Sequence, residues 1–555
     1  MRKIIAFCLF LALVPFSLSA EGRIRERVYV STDRDVYVAG DAVWLSAWCL
    51  DSNGGISSFS KIAYVEVHSR KGMVQTARIA LQDGRGGGRL FLPNTLPTGN
   101  YRLFAYTKLG AAEEGFDPLP GSKTISVFNT FSTERAEDAV DIVEERPRSA
   151  EHALAGGLSI KPSGGKVTVT NTSSGKIGFS LSVRHDDGIA APPRSSAVSF
   201  LESLASLPDA APLPGVLTEY EGEVISAKVT GTDAEGLKSV AEKYAFISTP
   251  GGGENVYSAA IGGDGRATFI TSNVYGDQEM FLEIEGVDRN NICHLEIESP
   301  FLDLPAGEIP SLPMSREYAE ALQLRGLSMQ LEHNFDADTL YSELPQHTHQ
   351  VFNSGDCVQY KLDDYTRFPV MEELFIEFIQ ELRVRKVNGK KELQVRCTDR
   401  SGRSSYDNGA SLVLLDGIPV LDHEKILSYD PLLVERVDIY THSYFLGIRG
   451  FAGVVNFVTY QGTLPLMKFE DNVRIVDFAG CSLPLAYTCE GVGRDYPDYR
   501  QTIYWHPLLS LEPGESITVE CKTPDYGGRF EVLAEGFGTD GSAAGASACF
   551  ELKKP

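Results

Sequence analysis

Apolar and polar positions alternate with period two along most of this chain, the signature of half-buried strands. From Val28, VYVSTDRDVYVAGDAVWLSAWCLD holds two such runs around the turn Gly40-Asp41. Ala63 to Val67, Ala77 to Leu81, Gly88 to Leu92 and Tyr101 to Tyr106 continue the alternation. A repeat every ~8–12 residues predicts a β-sandwich. Short strands are expected over Gly157 to Val183, a further sandwich over Gly215 to Glu298, and β structure again over 466–555. Three stretches, 83–106, 263–286 and 511–536, share one plan: a Gly turn, an alternating strand, a Pro/Gly/Asp loop and a second alternating strand. Reused hairpins of this kind support several sandwich modules.

Helical spacing interrupts the pattern in three places. Met371, Leu374, Phe375, Phe378, Ile379 and Leu382 fall on one face of Pro369–Leu382. Ser315 to Leu331 and Ser196 to Leu207 are the other predicted helices. Ser411 to Thr459 then packs several signals closely. The apolar run Leu412 to Leu415 suits a buried strand. Asp416-Gly417 supplies the positive φ angles of a tight hairpin turn, and Ile418 to Val420 the return strand. Asp430-Pro431 reads as an N-cap followed by proline at the first helical position. Val437 to Tyr440 and Val454 to Val458 are further strands, with the small residues of Gly447 to Gly453 between them. Asn388-Gly389 marks another hairpin.

These readings divide the chain as follows. Residues 1–20 form a leader, 21–130 a first sandwich, 131–214 a linker and second sandwich, and 215–300 a third. Residues 301–355 form a helical connector, 356–465 a small α+β domain, and 466–555 a C-terminal sandwich. The fold class expected is mainly β: several immunoglobulin-like β-sandwiches plus that small α+β domain.

Charge and cysteine usage narrow the partners. Residues 1–20 have Arg2 and Lys3, an apolar core and the small residues Ser19 and Ala20, the plan of a secretory signal; the rival reading is an uncleaved anchor helix. Without them the net charge is −26 (49 basic minus 75 acidic residues). Such acidity repels phosphate backbones, so no nucleic acid is expected as partner. No later segment approaches the ~20 apolar residues of a membrane span. Export to an oxidising compartment favours disulfides, and Cys481 and Cys489 are the pair expected to close a small loop. The other cysteines read as small buried hydrophobes.

Chemistry-bearing motifs are weak. His423-Glu424 lacks the second histidine of a zinc helix. His347-Thr348-His349 has the spacing of a metal pair on one strand face, and a polar loop explains it as well. Asp336 and Asp338 resemble the start of a calcium loop without its glycine and closing glutamate. Asp363-Asp364 and Glu372-Glu373 are paired acids of the kind that line a solvated face. Trp44 and Trp48 share a strand face that would suit a sugar or a core. No catalytic residue, metal site or cofactor is expected.

Two stretches carry a resemblance. DRDVYVAGDAVWLSAWCLD and LPTGNYRLFAYT resemble the macroglobulin domain of the alpha-2-macroglobulin type. LVLLDGIPV, DPLLVERVDIY and GIRGFAGVVNFVT, in that order, resemble the plug domain of TonB-dependent outer-membrane receptors. Together with YRQTIYWHPLLSLEPGESITVECKTPDYGGRFEVLAEGFGTDG they resemble a group of large exported Bacteroidetes proteins that pair such sandwiches with a barrel-less plug-like domain. Two departures bear on function. Only 96 residues (555 − 459) follow Thr459, too few for a receptor barrel whose strands need about 9–11 residues each. The thioester spacing of trapping macroglobulins is missing, since Cys357-Val358-Gln359 is one residue short.

The resemblance implies a non-enzymatic exported scaffold, periplasmic or outer-membrane-associated, that docks to outer-membrane-associated proteins. Tyr440, Tyr444, Phe445 and Phe451 are the candidate contact residues, because aromatics clustered near glycines anchor interfaces; the domain's own core is their alternative role, for Phe451 on at least equal terms. A polysaccharide-acting hydrolase and a ligand-binding accessory of outer-membrane uptake, with a carbohydrate as possible ligand, are the alternatives.

Overall fold

The computed structural model describes residues 25–554 apart from 136–139, 144–153, 194, 209, 252–254, 273, 288–292, 336–340, 344–351, 353–356, 388, 400, 407–408, 465, 484 and 488–495. The leader, the His347/His349 pair and the Asp336/Asp338 turn therefore lie outside the described residues.

The alternating runs become strands, and the fold is mainly β. The first sandwich stacks a three-stranded sheet (Glu26–Thr32, Ala42–Asp51, Arg85–Phe91) on a five-stranded one that includes Ile62–Ser69, Gly99–Tyr106 and Lys123–Phe128. Inward positions from both sheets, among them Val30, Leu45, Val65 and Leu103, form its core. Gly40 takes φ +96° at the turn before Ala42–Asp51, a value that glycine adopts without a Cβ clash.

The remaining modules are nested rather than strung in line. One sandwich pairs Leu158–Ser163 and Lys166–Asn171 with Ser516–Glu520, and Ile177–His185 with Thr502–Leu511 and Gly528–Gly538. Segments expected in separate sandwiches, 131–214 and 466–555, thus share both sheets and one core. The sandwich begun at Glu223–Thr230 also reaches forward, because Asp277–Ile284 pairs with Arg474–Ala479. The α+β module sits inside that excursion. A period-two pattern shows that a segment is a strand but carries no information on its partner, so nesting leaves no local trace.

The α+β module is a five-stranded sheet in the order Cys357–Lys361, Val434–Leu446, Arg449–Thr459, Leu412–Leu415, Ile418–Pro419. Helices Met371–Glu377 and His423–Leu427 and the hairpin Leu382–Val387/Lys390–Val395 cover one face, closing a core that includes Met371, Leu374, Ile379, Leu415, Ile439 and Phe457. The first helix is shorter than its apolar face predicts: it ends at Glu377, and Phe378 leaves helical geometry at φ −145° to reach an aromatic group, stacking on Tyr365 at 4.3 Å.

Between modules runs the connector. It crosses the first sandwich, where Arg102, Asn100 and Arg70 donate to the carbonyls of Glu308, Pro310 and Ile309. It then forms the helix Ala319–Phe335, whose Arg325 pairs with Asp187 at 2.6 Å.

Candidate functional site

The α+β module is built around Asp416-Gly417. Asp416 takes φ +49° and Gly417 φ +84°, the two left-handed residues of a tight turn joining Leu415 to Ile418. The Asp416 side chain is buried and accepts from Thr459 N and Thr459 Oγ1, both at 2.7 Å, and from Leu464 N at 2.9 Å. One residue therefore sets the turn and ties the end of the long hairpin to it.

That hairpin, Val434–Leu446 with Arg449–Thr459, carries the four expected contact residues and separates them. Tyr440 and Phe451 are buried. They join Leu412, Leu414 and Val454 in a second apolar cluster on the sheet face opposite the helices, packed against Phe246 and Val256 of the neighbouring sandwich. Phe246 and Phe451 lie 6.3 Å apart, and Phe352 lies 5.1 Å from both Tyr440 and Tyr444. Tyr444 is half-buried. Phe445 alone faces solvent, 74% exposed, beside Ile448 at 71%. The hairpin tip is held from below. Ser258 Oγ donates to the Leu446 carbonyl at 2.6 Å, and Arg449 pairs with Glu285 at 2.7 Å.

Beside this junction the two modules leave a cavity of about 550 Å³. Its walls are Glu283 and Glu285 of the sandwich, Val413 and Phe451 of the sheet, His423 at the helix start, and the turn Glu470–Asn472. His423 Nδ1 accepts from Leu393 N at 3.0 Å, and burial pulls the imidazole down to about 4. Burial pushes the Glu283 carboxyl up to about 8; Lys425 opposes this, while Glu470, Asp422 and Glu285 add to it. Sequence reasoning missed Glu283, which reads as one more polar position in an alternating strand, and met His423 only as half of a zinc motif.

The other sequence candidates are structural. Trp44 and Trp48 are 2% and 1% exposed, inside the fold, with Tyr341 5.1 Å from Trp44. Asp363 bonds Arg367 and the Tyr460 hydroxyl, and Glu372 pairs with Lys391. Cys481 carries a free, buried thiol 4.0 Å from Glu223, and burial raises its pKa; Cys489 lies outside the described residues. Among the described residues no group of three His, Cys, Asp or Glu could hold a metal ion, and no helix is long and apolar enough to cross a membrane.

No family model and no curated protein matches the chain. Solved structures do. Trypsin-activated alpha-2-macroglobulin from Escherichia coli is 10% identical over 95% of this chain and 41% of its own, with TM-score 0.24. Methylamine-reacted Salmonella alpha-2-macroglobulin is 9% identical over 96% of this chain and 40% of its own, also at 0.24. An adhesin of Yersinia pseudotuberculosis is 10% identical over 50% of this chain and 60% of its own, at 0.15. The chain spans about two fifths of the length of the macroglobulins it matches. Likenesses of this size carry no argument about ancestry or activity.

Proposed function

We propose that this chain is a non-enzymatic, exported scaffold that docks to an outer-membrane-associated protein through the free tip of the α+β module. The observation that carries the reading is the split of the long hairpin. Its aromatics Tyr440 and Phe451 are used up inside the molecule, whereas Phe445 and Ile448 stand exposed on a tip pinned by Ser258 and Arg449. Large apolar side chains held rigidly in water are what an interface anchor requires. The plug resemblance of LVLLDGIPV, DPLLVERVDIY and GIRGFAGVVNFVT supports the module's outer-membrane setting.

The nested fold dictates the test. Deleting 356–465 would strip Phe246 and Val256 of their cover, so loss of partners after deletion would report misfolding. Instead, the mature chain and a Phe445→Ser/Ile448→Ser variant are crosslinked in intact source cells and the co-purified chains identified. Loss of one outer-membrane-associated partner in the variant is expected; equal recovery from both overturns the reading.

A ligand-binding accessory is the second reading, and the cavity beside Glu283 is the observation that favours it. The hydrolase alternative would need a pair of carboxylates about 5–10 Å apart across a cleft. Two acids lining this cavity are already committed, Glu285 to Arg449 and Glu470 to Lys425.

A further inference from the structure

We infer that the cavity between the α+β module and its neighbouring sandwich is a binding site for an organic cation, an ammonium or guanidinium group on an apolar stem, with Glu283 as its counter-ion. The inference is independent of docking at the hairpin tip.

Three observations carry it. The cavity, about 550 Å³, lies within the range of small-molecule sites, ~300–1,000 Å³. Its lining combines apolar walls, Val413, Val420 and Phe451, with an excess of acid: six carboxylates (Glu283, Glu285, Glu392, Asp422, Glu470, Asp471) against Lys390 and Lys391. Lys390 is exposed, and the other nearby cations are already engaged. Lys425 bonds Glu470 at 3.3 Å and the Lys468 carbonyl at 2.5 Å, Arg449 bonds Glu285, and Lys391 bonds Glu372. Glu283 has no side-chain partner among the described residues, yet it is partly buried and lines the cavity. A carboxylate so placed is costly unless it is neutralised or matched by a cation.

Charge state gives the site a signature. The groups around Glu283 are Glu285 just past the end of its strand, Asp422, His423 and Lys425 on the facing helix and its cap, Lys390, Lys391 and Glu392 on the hairpin, and Glu470 and Asp471 on the turn. With Glu283 raised to about 8, the empty site is largely protonated at neutral pH. A bound cation favours the carboxylate, so the carboxyl proton leaves to solvent as the cation enters. Affinity should therefore rise with pH up to about 8 and level off above it. His423 stays neutral throughout and keeps its bond to Leu393 N.

The full mature chain is titrated calorimetrically with L-arginine, spermidine and a lysine-rich peptide, in two buffers of different ionisation enthalpy at pH 7. Saturable binding with net proton release is expected, at least tenfold weaker and without proton release in Glu283→Gln. Glu298→Gln, on the distant ion pair with Arg266, should bind as the parent does. Arginine or spermidine binding identifies a free small cation, and binding of the peptide alone identifies a side chain of a protein partner. Two results overturn the inference: no binding of any probe, or unchanged binding in Glu283→Gln. Thermal melting guards against a folding artefact. A site acid kept for a ligand destabilises the empty protein, so Glu283→Gln should melt higher at pH 8. A lower melting temperature assigns Glu283 a structural role and also overturns the inference.

Discussion

Two of this molecule's junctions add different chemistry to their apolar packing. Where the first sandwich meets the last, Tyr29 and Trp48 pack on Phe537 and Trp44 on Trp505, and an ionic network around the buried Arg184 is added to that packing. Arg184 lies between Asp35 at 2.9 Å and Glu531 at 2.8 Å, and Asp33 accepts from Tyr37, Trp44 N and Thr502 at 2.6–3.1 Å. Where the third sandwich meets the α+β module, the buried contact is apolar, Phe246 and Val256 against Tyr440 and Phe451, with the Arg449–Glu285 pair at its edge and a cavity alongside. Charged pairs fix one orientation, because a shifted pair leaves an unmatched buried charge. Apolar faces tolerate adjustment, and this one has room for a ligand. The ionic junction reads as frame, the apolar one as working surface.

The largest effect should come from breaking the frame. Arg184→Met takes the cation from the buried Asp35 as well as from the partly exposed Glu531, and breaking the buried Arg184–Asp35 pair costs about 3–5 kcal/mol. Denaturant unfolding should show that loss with little salt dependence. Replacing all three residues together, Arg184→Met with Asp35→Leu and Glu531→Leu, should recover most of it, since an apolar substitute for a whole buried network is often neutral. If the triple variant is no better than the single one, the ionic junction contributes more than charge matching.

Breaking the working surface should cost slightly less. Phe451→Ala removes a buried ring, and such truncations cost about 3–5 kcal/mol depending on how far the site collapses. Phe451 already borders empty space, so about 3 kcal/mol is expected, measured by the same unfolding. A loss above the Arg184→Met value would reverse the ranking of the two junctions.

What the sequence disclosed follows the same division. Local chemistry was legible. The turn at Asp416-Gly417, the N-cap Asp430 before Pro431, and the helix capped by Ser196 all lie where their residue types require. The stretch DRDVYVAGD was readable as strand and turn, but its Asp33-Arg34-Asp35 core is the ionic junction, and that depends on Arg184, Thr502 and Glu531 far along the chain. Tyr440 and Phe451 were legible as apolar positions and not as junction residues, because their partner Phe246 belongs to a strand 205 residues before Phe451 (451 − 246). Glu283 had no local signal, since its burial comes from three separate segments closing over it.

pH dissects the junction of the α+β module at a finer scale. Folded His423 titrates near 4 against an ordinary 6.5, so the unfolded chain binds the extra proton between those values and His423 favours folding above 6.5. Folded Glu283 titrates near 8 against 4.5, so the native state binds the extra proton there and its contribution falls as pH rises from 4.5 to 8. Between pH 4.5 and 6.5 the two trends oppose and nearly cancel. From 6.5 to 8 Glu283 acts, joined up to about 7 by Glu223, whose carboxyl burial also raises, and stability should fall by on the order of 1 kcal/mol. Melting curves should show a flat region and then this decline. His423→Asn should extend the decline down to pH 4.5, and Glu283→Gln should abolish the part of it above about 7, where Glu223 no longer contributes. A parent curve with no decline above 6.5 would place Glu283 in contact with water.

The smallest effect tests the comparison on a single hairpin. Phe445 and Phe451 are the same residue type on opposite arms, and sequence alone treats them alike. Phe451 is 5% exposed and Phe445 is 74% exposed. The Phe445 ring leans over Gly450, where an added Cβ would meet its edge at 2.9 Å. Phe445→Ser should therefore change folding stability by no more than about 0.5 kcal/mol, the usual range for a surface position. The tip's backbone stays held by Ser258 and Arg449. A melting temperature matching the parent's makes any loss of crosslinked partner a loss of contact. A cost near that of Phe451→Ala would show that the ring packs within the molecule, and the docking surface would then have to be sought away from this tip.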